Sequence, residues 1–202
     1  NPFSENSYLI WSDSKKAIVI DPGFYTQAEQ YAFKEFILEN GLQLEKVVLT
    51  HAHIDHIFGL EFIFKEFGLQ PWMNLYEKPV YLAGGQISQM YGMNVFNYPE
   101  PAGWIDEQLE YPLADLNFEV LFTPGHSPGS ISFYNKEHGV LFSGDVLFEG
   151  SIGRTDLPGG EHKTLISSIQ KKLLILPYST KVYSGHGGIT TIGQEKMCNP
   201  FL

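Results

Sequence analysis

Apolar positions along the chain fall into two rhythms. Compact runs closed by Gly, Pro, Asp, Asn or His predict strands: "SYLIW" (7–11), "AIVID" (17–21), "KVVLT" (46–50), "PWMNLY" (71–76), "FEVLFT" (118–123), "SISFYN" (130–135), "GVLFSG" (139–144) and "KVYSG" (181–185). Stripes spaced three and four residues apart predict helices between them. "TQAE" (26–29) has the form of a capping box, with Thr26 as N-cap and Glu29 at N3. Ala32, Phe33, Phe36 and Ile37 then make the stripe, and Gly41 closes it. Further helices are expected at 59–68, within 78–97 and at 162–176. Strands and helices mix through both halves with no repeat, linker or low-complexity segment. This predicts one α/β domain over 1–202, with sheet layers covered by helices.

Composition narrows the class. The 202 residues are 43% hydrophobic and 18% charged, in the range of a globular chain. A net charge of −10 with no basic run argues against nucleic acid as a partner. No apolar run approaches the ~20 residues of a membrane span, and the first residues do not have the basic, apolar, small-residue pattern of a signal segment, though the sequence opens on Asn1 and a signal removed from a longer chain stays open. The single Cys198 excludes an intramolecular disulfide or a Cys-rich zinc site, and fits a reducing cytoplasm.

The chemistry gathers where strands end. "THAHIDH" (50–56) follows "VVL" and supplies His51, His53, Asp55 and His56. "PGHSPG" after the 118–123 strand supplies His126, "FSGD" supplies Asp145, and "SGHG" supplies His186. Five of the seven histidines lie on this pattern, leaving only His138 and His162. Strand-end loops are where a rigid sheet presents polar groups to a ligand. Neutral imidazole and carboxylate suit zinc, iron or manganese. In H-x-H, alternate residues of an extended segment point the same way, so His51 and His53 can share an ion. Asp55 and His56 fall where the chain turns into a helix and can face a neighbouring position, while Asp145 can bridge. Seven candidate ligands exceed the three or four of one tetrahedral site, so the count predicts two divalent ions about 3.5–4 Å apart. Zinc leads, with iron or manganese also compatible. Such a centre lowers the pKa of bound water toward ~7.

As a set, "THAHIDH", "TPGHSPGS", "FSGD", "SGHG" and the early "IVIDPG" (18–23) resemble the metallo-β-lactamase fold superfamily. The resemblance spans essentially the whole chain. It implies a four-layer αββα sandwich with the metal site at one edge of the sheets. It also implies that His51, His53 and His126 hold one ion, Asp55, His56 and His186 the other, and that Asp145 bridges. Asp21 matches the family's structural aspartate. The most similar subgroup is the glyoxalase II-like thioester hydrolases, which cleave S-lactoylglutathione with a metal-bridging hydroxide. Within "GSIGRTD" (150–156), Arg154 matches a basic residue that contacts glutathione there, with an ion pair to Asp156 as the alternative. Asp55 takes the role of orienting the attacking hydroxide and accepting its proton.

The sequence also departs from that subgroup. Asp156 stands where glyoxalase II enzymes carry an aromatic residue, and Gly188 where they carry a tyrosine. Their C-terminal helical region has no counterpart in these residues. A small-molecule thioester substrate is therefore expected, with its thiol portion left open, and the protein is expected to be a monomer or homodimer. The main competing activity is a persulfide dioxygenase using one iron on His51, His126 and Asp145, since "GRTD" is shared with that group. A lactonase or β-lactamase ranks lower: β-lactamases with a cysteine ligand place it where Asp145 stands. Residues 78–112 are expected to cover the metal edge, as core packing, substrate wall or dimer contact.

Overall fold

The computed structural model describes residues 1–202. Two sheets face each other. The first has the order β1 (Tyr8–Trp11), β2 (Lys16–Ile20), β3 (Gln43–Val48), β4 (Pro71–Met73) and β5 (Gly103–Trp104). Only β1 and β2 run antiparallel there; the other pairs are parallel. The second combines β6 (Gln108–Leu113), β7 (Leu116–Phe122), β8 (Ile131–Asn135), β9 (Val140–Gly144), β12 (Lys181–Ser184) and β13 (Thr190–Thr191), in the order β13-β12-β9-β8-β7-β6. A small ribbon, β10 (Leu147–Phe148) with β11 (Ser151–Ile152), follows β9.

The period of two along each strand sorts side chains into layers. Ile18, Ile20 and Val48 of the first sheet meet Phe118, Val120, Ile131, Phe133 and Phe142 of the second in one core between the sheets. Ala17, Val19 and Val47 turn the other way, toward Phe33, Ile37 and Ile63. Those belong to α1 (Gln27–Glu39) and α3 (Leu60–Phe67), with α4 (Lys78–Met90) adding Tyr81. Leu121, Leu141 and Val182 face outward from the second sheet against Leu165 of α5 (His162–Ser168) and Ile192 of α6 (Ile192–Cys198). Three apolar seams between four layers make the αββα sandwich. No helix is long and apolar enough to cross a membrane.

Local signals mostly match. Thr26 and Glu29 form the full capping box, and Gly41 takes φ +61 just past the end of α1. The 71–76 strand stops at Met73, because the Asn74 side chain accepts from Tyr76 N–H and starts a 3₁₀ turn over Leu75–Glu77. The 78–97 helix ends at Met90. The 162–176 helix is α-helical only to Ser168 and continues as a π turn over Ile169–Leu173. Strand β6 gives little apolar signal, as its Pro112 and exposed Glu110 suit an edge strand.

This topology decides where the polar loops meet. β2 and β3 are parallel, β9 and β12 are parallel, and β7 runs antiparallel to β8, which is antiparallel to β9. The C-terminal ends of β7, β9 and β12 therefore open on one edge. Ile131 N–H donates to the Thr50 carbonyl (2.9 Å), joining the loop after β3 to that edge.

Candidate metal centre

The loop after β3 brings His51 and His53, and the short helix α2 (Ile54–Ile57) carries Asp55 and His56. His126 arrives from the loop after β7, Asp145 from the end of β9 and His186 from the end of β12. All seven converge. His126 Nε2 lies 2.8 Å from His53 Nδ1 and 3.2 Å from His51 Nε2. His186 Nε2 lies 3.2 Å from Asp55 Oδ2, and His56 Nε2 lies 3.9 Å from the same oxygen. Asp145 sits between the clusters, with Oδ2 3.5 Å from His126 Nε2 and 3.4 Å from His186 Nε2, and Oδ1 3.4 Å from His56 Nε2.

The outer hydrogen bonds fix which ring nitrogen carries a proton. Asp21, held at φ +49, accepts from Thr50 N–H (2.7 Å) at Oδ1. Its Oδ2 accepts from Thr50 Oγ1–H (2.6 Å) and His56 Nδ1–H (3.0 Å). Thr50 Oγ1, its proton spent on Asp21, is left to accept from His51 Nδ1–H at 3.1 Å. The Arg154 carbonyl accepts His126 Nδ1–H at 2.7 Å. His51 Nε2 and His126 Nε2 thus present lone pairs inward, and His56 turns its Nε2 the same way. Two lone pairs 3.2 Å apart, on His51 and His126, are mutually repulsive unless a cation lies against both. Buried His56 Nε2 and Asp145 Oδ1 have no hydrogen-bond partner. This donor set fits divalent cations, and partners that orient ligating imidazoles in this way are typical of metal sites. Asp21, His51 and His56 also lie close enough to form a third group. Both Asp21 oxygens are already engaged, which makes it the support rather than a ligand.

Electrostatics separates the two halves. Burial, reinforced by neighbouring imidazoles, pushes His53 down to about 3 and His51 well below its ordinary value. Burial lowers His126 as well. Burial opposes charge on His186 too, but Asp145 and Asp55 overcome it and raise His186 to about 10. His56 is raised for the same reason. With no ion bound, the imidazoles of the first cluster are thus neutral near pH 7 and those of the second, His56 and His186, carry protons. An ion entering the second must displace protons; one entering the first displaces few. Titration calorimetry in buffers of different ionisation enthalpy should find more protons released by the second-position ion. Affinity there should rise with pH toward about 10. Equal release at both positions would contradict this charge distribution.

Space is matched closely around Asp145. A Cβ on Gly185 would run into Asp145 Oδ1 and lie 2.7 Å from His56 Cε1. Gly185→Ala should therefore weaken metal binding on the Asp145–His56 side by at least tenfold, read by chelator competition. Unchanged affinity would mean that these side chains can shift without cost.

Some participants carried no motif. Glu77, fully buried, accepts from Ala52 N–H, Ser127 Oγ–H and Gly129 N–H. Asn6 Nδ2–H donates to the Ser184 and Gly187 carbonyls, and Tyr8 Oη–H donates to Ser184. The Arg154 side chain stays at the surface in a bidentate pair with Asp156, at 2.7 Å for both bonds. Its carbonyl, not its guanidinium, touches the centre. Gly188 packs against Glu149. Phe148 places its ring edge-on to His186 at 6.1 Å. The second cluster opens to solvent, with the His186 side chain 27% exposed and that of His56 fully buried.

Comparison with known proteins shows the family. The family model of the metallo-beta-lactamase superfamily matches residues 1–186. The chain belongs to the metallo-beta-lactamase superfamily. It is 42% identical to hydroxyacylglutathione hydrolase GloC of Haemophilus influenzae, over 99% of this chain and 93% of that protein. Among solved structures of the superfamily it is similar to BLEG-1 B3 metallo-beta-lactamase (TM-score 0.89, 37% identity, 100% and 96% of the two chains). It is similar also to TTHA1623 in a di-iron-bound form (TM-score 0.87, 36% identity, 100% and 97%). Superfamily membership and these relatives make the chain a metal-dependent hydrolase.

Proposed function

We propose that the chain hydrolyses small-molecule thioesters of the hydroxyacylglutathione type at a two-ion centre. His51, His53 and His126 would hold one ion and Asp55, His56 and His186 the other, with the Asp145 carboxylate lying between the two clusters. The observation that carries the two-ion reading is the inward convergence of ring nitrogens whose outer protons are already committed to Asp21, Thr50 and the Arg154 carbonyl. The thioester class rests on the 42% identity to GloC across nearly the whole chain.

Two bound divalent ions supply a water of lowered pKa and polarise the carbonyl oxygen. The chain's own groups do the rest. Asp55 Oδ2 faces the His186 side of the centre, where it orients the water and accepts its proton. A thiolate leaving group needs little proton donation, which agrees with a site of acceptors. Access is from the His186 side, past Phe148. A substrate carboxylate reaching Arg154 must exchange with Asp156, whose bidentate pair with the guanidinium lies at the surface and is screened by solvent. Zinc is the expected occupant, while the di-iron form of TTHA1623 supports iron. The protein acts as a monomer or homodimer in the cytoplasm.

A second reading, β-lactam hydrolysis, is favoured by the likeness to BLEG-1. The test is a panel of S-lactoylglutathione, simpler acyl thioesters, a lactone and a chromogenic β-lactam, with metal content measured on the same samples. Turnover of thioesters at two ions per chain supports the proposal. β-Lactam turnover alone, or one iron per chain with oxygen uptake on glutathione persulfide, would replace it.

A further inference from the structure

We infer that Glu77 is a positioning residue that sets the first metal position, that of His51, His53 and His126, and leaves the second untouched. This rests on the two-position reading above. Glu77 ends the 3₁₀ turn before α4 and is 0% exposed. A buried carboxylate without a cation is costly, and one is kept only when several donors compensate it. Every hydrogen bond to Glu77 comes from a neutral donor in a loop that carries a ligand. Ala52 N–H, between His51 and His53, donates to Oε2 at 2.9 Å. Ser127 Oγ–H, next to His126, lies 2.6 Å from Oε1 and 2.8 Å from Oε2. Gly129 N–H, which closes the same loop, donates to Oε1 at 2.6 Å.

The two loops belong to different sheets, one following β3 and the other β7. One carboxylate thus joins both, and their spacing brings His53 Nδ1 and His126 Nε2 to 2.8 Å. Asp21 links His51, through Thr50, to His56, but the backbone of the second position also has supports of its own. Asn6 Nδ2–H donates to the carbonyls on either side of the Gly185–His186 turn (3.1 and 3.0 Å), and Asn1 Nδ2–H donates to the Asp55 carbonyl at 3.0 Å. None of these groups hydrogen-bonds Glu77.

Glu77→Gln keeps the shape but turns one acceptor into a donor facing N–H and O–H groups. A general loss of structure would weaken both positions together; a positioning role weakens one. Zinc affinity by chelator competition separates these, in the wild type and in His186→Ala and His126→Ala backgrounds, each with and without Glu77→Gln. The expected result is a 10- to 100-fold weakening in the His186→Ala background, where the first position remains. In the His126→Ala background the change should stay within about threefold, since the hydrogen bonds that hold the Asp55 and His186 backbone do not involve Glu77. Should Glu77→Gln fail to fold, Ser127→Ala removes a single donor and should weaken the same position severalfold. Equal weakening in both backgrounds, or none, overturns the inference. A wild-type protein that binds one ion or none overturns the two-position reading instead.

Discussion

Asp55→Asn should fold normally and lose about 100- to 10,000-fold in turnover, the usual contribution of a positioned acid–base group. The substitution is nearly isosteric, and the surrounding backbone does not depend on the side-chain charge. Asp55 lies in the four-residue helix α2, whose ends are fixed by buried Ile54 and Ile57. Its Oδ2 is 3.2 Å from His186 Nε2. An amide in that place offers one acceptor and a donor that faces other donors. Burial raises the Asp55 carboxyl, but His56 and His186 outweigh it and hold the group below its ordinary value, so it is ionised at neutral pH. Asp55 is also a proposed ligand, so the assay belongs at saturating metal, with the ion content measured beside kcat. Near wild-type kcat at full occupancy would remove Asp55 from the mechanism.

Loss of His126 should be as severe, by another route. Its Nε2 stands at the junction of both clusters, near His51, His53 and Asp145. His126→Ala should leave about one ion per chain after dialysis and abolish turnover. Two ions retained would show the ligand assignment to be wrong. Metal removal from the wild type gives a related thermal signature. An ion present at 100 times its Kd stabilises the folded state by about 2.7 kcal/mol. Stripping it should lower the midpoint of this 202-residue chain by about 5–10 °C, reversibly on adding metal back.

How much of this was legible beforehand follows from the range of the forces involved. Strands betray themselves by apolar runs and helices by caps, and both signals are confined to a few neighbouring residues. Hence β2, α1, β7 and β8 lie close to where the pattern placed them. The weak or interrupted elements were hidden: β6 with its proline, α6 with few apolar positions, and the π turn after α5. The seven candidate ligands were visible for the same local reason, because each sits in a turn-forming Gly- or Pro-rich loop or a dense histidine motif.

Sequence by itself thus determined which residue types crowd the strand ends, and so the metal chemistry and the family resemblance. The tertiary structure decided the rest. It sorted the ion-free imidazoles into a neutral set and a protonated set, since that depends on burial and on which carboxylates fold against which imidazoles. It fixed the ring tautomers through Asp21, Thr50 and a backbone carbonyl of Arg154, and it placed the Arg154 guanidinium on Asp156. It also revealed Glu77, whose partners lie 25 and 50 residues away along the chain. Contacts over such separations follow no period and carry no motif, so they exist only once the two sheets are packed.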